Sequence, residues 1–349
     1  GDNSYIFRGD GPESYASRFN WFVFSAVEII NWPGTLSSGQ VVAEAVNTGI
    51  EETADFSTSE SLLEDIHAIW KRSQLDNMHG GIASDCPHRE RSAYTGDGQV
   101  ACVQVMHNYD ARSFYHKWIG DIREAQLPNG YVPNGAPWQP GWGGGVAWGA
   151  AICIMPWEYY RHYGSLRMLR DNYDAMKGYV QYMQRWVDDK GLMFSQATGK
   201  DGKPLQWLNL GEWSDPGPEI PDELVHTFYF WRCADITAST AKKVGRHPEA
   251  AYYEQLARHT WEAFHCRFWN ANLQSYGAGG ANILALRMGV PEERQKAVVQ
   301  AMRKDLQATN GHLDTGIFGT RWFFEMLSEY GMHDLAYEAM TKRTEPSFG

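Results

Sequence analysis

From Ser59 onward the chain repeats one pattern, a helical stretch followed by a stop and another helical stretch. Leu62, Leu63, Ile66, Ile69 and Trp70 recur at three- and four-residue spacing after a Ser/Thr-rich start, which puts one apolar face on a helix. The same periodicity predicts helices at about 97–109, 111–125, 146–162, 166–188, 222–243, 249–268, 279–288, 292–306, 317–329 and 333–342. Tyr163-Gly164, Val244-Gly245, Gly289-Val290-Pro291 and Tyr330-Gly331 punctuate them, because glycine and proline end one helix and admit the next. Consecutive helices on short links pack as antiparallel neighbours, so about eleven helices taken in pairs predict a mainly α chain, an α/α toroid with its pocket in the loops at one end. No sequence repeat supports this; it rests on the number of helices.

Residues 1–55 read differently. Tyr5-Ile6-Phe7, Phe19-Asn20-Trp21-Phe22-Val23-Phe24, Ala26-Val27-Glu28-Ile29-Ile30 and Val41-Val42-Ala43-Glu44-Ala45-Val46 are short aromatic and β-branched runs. Gly9-Asp10-Gly11-Pro12, Pro33-Gly34 and Ser37-Ser38-Gly39 separate them, which is a strand pattern. Four strands are too few for an independent sandwich. The division expected is therefore the C-terminal part of a β-sandwich domain over 1–55 and a helical domain over 56–349. Gly1-Asp2-Asn3 does not resemble a natural start, so a fragment of a longer protein is expected.

Composition excludes several classes. Hydrophobic residues make up 43% and charged residues 21% of the 349, which rules out global disorder. No apolar run approaches the roughly 18 residues of a membrane helix. Lys and Arg number 31 against 42 Asp and Glu, a net charge of −11 with no basic block, so neither nucleic acid nor an anionic membrane is an expected partner. Oligomeric state is not readable. Cys86, Cys102, Cys153, Cys233 and Cys266 are scattered and form no ligand cluster; burial as small hydrophobes is the expectation, and no metal or other cofactor is implied. The 15 tryptophans fit two accounts, filler of a large helical core or faces that stack on sugar rings.

Two long loops interrupt the helices. One spans 127–145 and ends Gly141-Trp142-Gly143-Gly144-Gly145; the other spans 199–221 and contains Gln206-Trp207-Leu208-Asn209-Leu210-Gly211-Glu212-Trp213-Ser214-Asp215. Connections of this length in a compact domain are usually functional or disordered, and the tryptophans argue against disorder. A third segment, 78–99, is the densest polar one. It carries Asp85, Glu90 and Asp97 with Arg89 and Arg91 interleaved, two histidines and Cys86-Pro87. A plain surface loop with Asp97 capping the next helix would explain the charges alone. Carboxylates held by arginines are also what a hydrolase needs for acid–base chemistry, with one group donating a proton and its neighbours fixing orientation.

Asp85-Cys86-Pro87-His88-Arg89-Glu90-Arg91-Ser92-Ala93-Tyr94-Thr95-Gly96-Asp97 resembles the signature of bacterial α-L-rhamnosidases, glycoside hydrolase family 78. The resemblance continues in order through Trp148-Gly149-Ala150-Ala151-Ile152-Cys153-Ile154-Met155-Pro156-Trp157, Tyr163-Gly164, Gly211-Glu212-Trp213, Gly311-His312-Leu313-Asp314-Thr315-Gly316 and Pro346-Ser347-Phe348-Gly349. It implies an (α/α)6 barrel, a six-hairpin toroid, preceded by a β-domain, and an inverting glycosidase that releases terminal α-L-rhamnose from glycans or rhamnosides without a cofactor. By the resemblance Glu90 is the general acid. Asp85, Arg89 and Asp97 hold the sugar hydroxyls or tune the acid, and Tyr94 stands where the family usually has a Trp against the sugar. Trp142, Trp148, Trp207, Trp213 and His312 are the further substrate-binding candidates. A periplasmic or secreted location is expected, with the cytoplasm as the alternative.

The chain departs from the pattern at several points. Ala150 replaces the family's usual Asp, and the interval between Arg89 and Glu90 is one residue shorter than in the longer form of the motif. The family's general base is a Glu in a Thr-x-x-Trp-Glu segment a short way after Pro-Ser-x-Gly, and this sequence reaches Gly349 before it. An inverting enzyme needs that second carboxyl roughly 6.5–9.5 Å from the acid. Glu212 and Asp215 are the substitutes the sequence offers. Two alternatives therefore stay open: a polysaccharide lyase on a related barrel acting on rhamnose–glucuronate linkages, and an inactive or purely binding fragment.

Overall fold

The computed structural model describes residues 3–137, 143–193 and 210–349. Twelve helices among them carry the fold: α1 (Ser61–Asp76), α2 (Thr95–Asn108), α3 (Arg112–Ala125), α4 (Val146–Gly149), α5 (Ala151–Tyr163), α6 (Leu166–Gln184), α7 (Asp222–Lys243), α8 (His247–Arg267), α9 (Ala281–Met288), α10 (Glu292–Ala308), α11 (Ile317–Glu329) and α12 (His333–Met340). A two-stranded hairpin, β1 (Met78–His79) and β2 (Ile82–Ala83), follows α1.

The helices divide by burial into two layers. In α5, α7 and α9 whole runs are buried without a break, Ala151–Pro156, Leu224–Phe230 and Ala281–Leu286 among them, so these helices are covered on all sides. In α3 only one stripe is buried, Phe114, Tyr115, Trp118, Ile119 and Ile122, and α10 buries only Val298, Met302 and Leu306. The first kind lines the inside of the toroid and the second faces water. Inner neighbours follow in chain order, α2 beside α5, α5 beside α7, α7 beside α9 and α9 beside α11. The outer helices pair with them, α3 on α5, α6 on α5 and α7, α8 on α7, α10 on α9 and α12 on α11. This is the mainly α toroid that the helical pattern predicts.

The stops act through local chemistry. Gly164 ends α5 in the left-handed region (φ 71°), which costs glycine little, and its N–H bonds back to the Tyr160 carbonyl. Ser165 then caps α6 by accepting the Met168 N–H at 3.3 Å. In the hairpin, Gly80 and Gly81 both have positive φ (60° and 78°), as a tight primed turn requires.

Residues 3–60 depart from the expectation. None of the predicted runs at 5–7, 19–24, 26–30 and 41–46 forms a strand; they carry no regular secondary structure, with Phe19 95% and Ile6 87% exposed. The segment is tied to the helical body farther on, through the bridge between Glu52 and Tyr109, Thr53 N–H on the Asn108 carbonyl and Thr48 N–H on the Met78 carbonyl. Aromatic and β-branched residues make a segment fit for a sheet, but a ladder needs a neighbouring strand, and the described residues supply none. The cysteines follow expectation in part. Cys102, Cys153 and Cys233 are buried, Cys86 is half-buried, and Cys266 is exposed, contrary to the burial expected of it. No helix among the described residues is long and apolar enough to cross a membrane.

Candidate active site

The hairpin delivers the chain into a loop that Asp85 closes on itself. The Asp85 N–H donates to the Ser92 carbonyl (3.1 Å), and its Oδ1 accepts the Ser92 N–H (3.0 Å). Its Oδ2 accepts the Cys86 thiol at 2.8 Å. Cys86 in turn accepts the Arg91 N–H on its carbonyl (3.1 Å) and the Glu90 N–H on Sγ (3.4 Å). Arg91 sits at φ 55°, donates from Nε to the Pro87 carbonyl, and lays its guanidinium 5.0 Å from the centre of the Trp21 ring. Six residues are thus pinned by hydrogen bonds that do not use the Glu90 side chain, which leaves that side chain outside the turn.

Glu90 is 42% exposed and takes two donors, Arg89 Nη2 on Oε1 at 3.1 Å and the Tyr94 hydroxyl on Oε2 at 2.9 Å. Arg89 is 72% exposed, so water screens its ion pair and the contact orients more than it stabilises. Burial, the bond to Glu90 and the charges of Glu90, Asp85 and Asp97 push the Tyr94 hydroxyl up to about 12. Tyr94 also starts α2, and Asp97 lies in the first turn of that helix, where the expected cap is replaced by a deeper role. Burial raises the Asp97 carboxyl to about 6; the negative charges of Asp85 and Glu90 add to this, while its own backbone N–H and the Trp148 side chain, which donates to it, oppose it. Asp85, Glu90 and Asp97 therefore form one electrostatic group.

Trp148 ties this loop to a second wall. The Thr95 hydroxyl donates to the Trp148 carbonyl (2.8 Å), and the Trp148 ring lies against Gly96 so closely that any Cβ there would collide with it. Edge-to-face contacts carry Trp148 on to Trp213 (6.0 Å) and Phe318 (5.2 Å). Trp213 is exposed and Trp148 is buried, so Trp213 offers an accessible face while Trp148 supports it. The starts of α2 and α11 and the segment opening α5 thus converge at one end of the toroid.

Glu212, one of the two substitutes for the base that the sequence offers, is held at a helix end. Its Oε1 accepts the N–H groups of Trp213 (3.0 Å) and Phe318 (2.9 Å), and its Oε2 accepts the Gly319 N–H at 2.8 Å. It caps α11 from a distant segment, and a carboxylate held by three backbone donors is committed to that helix end. Burial raises its pKa, against the pull of those three donors. Asp215 is half-buried and acts on Glu212 through its charge. His312 is engaged elsewhere: Nδ1 bonds the Pro346 carbonyl (2.9 Å) and Nε2 the Thr344 hydroxyl (3.1 Å), so it fastens the C-terminal segment. Trp142 and Trp207 lie outside the described residues.

The model of the bacterial alpha-L-rhamnosidase 6 hairpin glycosidase domain matches residues 51–349. The chain belongs to this family. An α-L-rhamnosidase of Streptomyces avermitilis is 30% identical over 99% of this chain and 32% of its own length, and one of Formosa agariphila is 30% identical over 98% and 37%. The rhamnosidase domain described here thus spans about a third of the curated relatives it matches. Among solved structures, the α-L-rhamnosidase from Dictyoglumus thermophilum superposes with a TM-score of 0.81 at 29% identity, over 91% of this chain and 36% of that one. The S. avermitilis α-L-rhamnosidase complexed with L-rhamnose superposes with a TM-score of 0.79 at 29% identity, over 87% and 28%.

A large cavity among the described residues lies away from this site. It measures about 920 Å³ and lies between α2, α5, α9 and α11, where Arg161, Arg287, Arg321 and Trp322 line it. Its lining includes neither Glu90 nor Trp213, so the clustered carboxylates rather than this cavity mark the candidate site. Sequence reasoning missed three participants: the Cys86 thiol, the Ser92 amide and the Phe318–Gly319 amides. Cys86-Pro87 flagged the loop without showing what the thiol bonds, and backbone amides leave no mark in a sequence.

Proposed function

We propose that this chain carries the acid side of an inverting α-L-rhamnosidase, acting on a terminal α-L-rhamnose of a glycan or glycoside. One observation carries the reading: Glu90 projects from a self-closed loop, partly exposed, with its carboxyl held by Arg89 and Tyr94 beside the half-buried Asp97. Glu90 protonates the leaving oxygen as the glycosidic bond breaks. Asp97, half-buried beside the Trp148 indole, and Asp85 are placed to accept sugar hydroxyls, and the exposed face of Trp213 is suited to stack on the ring. Water attacks from the opposite face with a carboxylate as base. With Glu212 committed to α11, that base is assigned to the family's Thr-x-x-Trp-Glu segment rather than to Glu212 or Asp215. The same reading takes residues 1–55, with their exposed aromatic and β-branched side chains, as strands of a β-sandwich.

An aryl α-L-rhamnoside tests this. Release of the aryl alcohol together with free rhamnose, lost by a factor of about 10² to 10⁴ in Glu90→Gln, is the expected result. Turnover in Glu90→Gln equal to the unaltered protein would remove Glu90 from the acid role. An unsaturated, ultraviolet-absorbing product from a rhamnose–glucuronate oligosaccharide would replace hydrolysis by elimination.

A further inference from the structure

Tyr94 occupies the position where a ring is expected against the sugar, yet its hydroxyl is directed at the acid. It donates to Glu90 Oε2 at 2.9 Å, while Arg89 takes Oε1 at 3.1 Å, so the two carboxyl oxygens have one donor each. The backbone of Tyr94 is fixed on both sides. Its N–H bonds the Ser92 carbonyl (2.9 Å), its carbonyl accepts the Gly98 N–H (3.1 Å), and it forms an isolated bridge with Gly135. Glu90 is equally fixed at its own backbone, where the N–H rests on Cys86 Sγ. The groups facing the Glu90 carboxyl are Arg89 on its own loop, Tyr94 at the start of α2, and the charges of Asp85 and Asp97.

We propose that Tyr94 is a positioning residue for the general acid, its hydroxyl holding the Glu90 carboxyl in place in both protonation states. The proposal rests on the glycosidase reading of Glu90. A phenol hydroxyl donates to an ionised carboxylate and, after rotation, accepts from the protonated acid; an indole N–H donates only. A tyrosine at this position therefore keeps its contact when the carboxyl gives up its proton to the leaving oxygen and when it is reprotonated. Arg89, all donor and largely exposed, can donate to either form but cannot accept the proton of the neutral acid. The raised Tyr94 hydroxyl agrees with a phenol that stays protonated beside that charge throughout the working pH range.

Two measurements decide it. Carbon NMR of labelled tyrosine rings follows the Tyr94 hydroxyl as pH rises, its signal identified by its loss in Tyr94→Phe. In the unaltered chain it ionises near the raised value of about 12; in Glu90→Gln, with the neighbouring charge gone, ionisation moves down toward the ordinary tyrosine range. A midpoint that does not move overturns the contact, and this arm needs no turnover. The second arm measures kcat and KM on an aryl α-L-rhamnoside. Tyr94→Phe lowers kcat about tenfold with KM within about twofold and changes the pH–rate profile, and Tyr94→Trp recovers only part of the loss. Unchanged kcat and profile in Tyr94→Phe overturn the positioning role. The turnover arm uses a protein that includes the Thr-x-x-Trp-Glu segment; no turnover by that protein counts against the glycosidase reading itself, while the titration still decides whether the hydroxyl holds the carboxyl.

Discussion

Asp97 is where burial and function pull apart at the scale of one residue. Its folded carboxyl sits at about 6, above the 3.8 of an exposed aspartate, because burial disfavours the charge. A raised folded value means that the stability this group supports is fully present below the unfolded value and is lost as pH rises through the folded one. The loss therefore falls between about pH 4 and pH 6, and is on the order of 3 kcal/mol for a shift of this size. Asp97→Asn removes the titration and keeps an acceptor for Trp148. Denaturant midpoints measured at several pH values should show the variant gaining on the unaltered chain across that window; parallel curves would mean that Asp97 is not held in a buried, raised state. The residue's importance was legible from its place in a charged motif. Its electrostatics were not, because desolvation depends on the Trp148 ring, which is 51 positions away in the chain.

Single elements carry two further tests. Gly98 lies inside α2, where helix propensity alone favours alanine by roughly 1 kcal/mol. A Cβ at that position would lie 2.4 Å from the Trp118 ring, which is fully buried and fixed by its N–H on the Ala136 carbonyl. Packing therefore wins, and Gly98→Ala is expected to destabilise the domain by about 1–3 kcal/mol in equilibrium unfolding. A stabilised variant would show that α2 and α3 do not pack this closely. For α11 the element in question is its N-terminal end. Glu212→Ala leaves the Phe318 and Gly319 amides without their acceptor, at a cost of about 1–2 kcal/mol, and those amides should exchange faster with solvent. Abolished turnover with unchanged exchange would instead favour a catalytic role for Glu212. Helix positions were readable because periodicity is local; the Glu212 cap was not, since it joins residues more than a hundred positions apart.

For the whole molecule, the toroid follows from the alternation of fully buried and one-sided helices, and this alternation was visible as eleven apolar stretches with glycine and proline stops. Layer assignment was less visible, since α5 and α7 differ from α3 mainly in what surrounds them. The first 60 residues show the complementary limit of pattern reading: Phe19-Asn20-Trp21-Phe22 has the composition of a strand, and composition does not name a partner strand. The site stands at the end of the ring where α2 and α11 begin, while the cavity of about 920 Å³ lies along α2, α5, α9 and α11 around Trp322. The two places make opposite claims on a sugar. A crystal structure of the protein soaked with L-rhamnose separates them most directly. The account predicts the sugar beside Trp213, with Asp97 and Glu90 within hydrogen-bond distance of its oxygens. Rhamnose bound among Arg161, Arg287 and Trp322, with the acid loop empty, would contradict it.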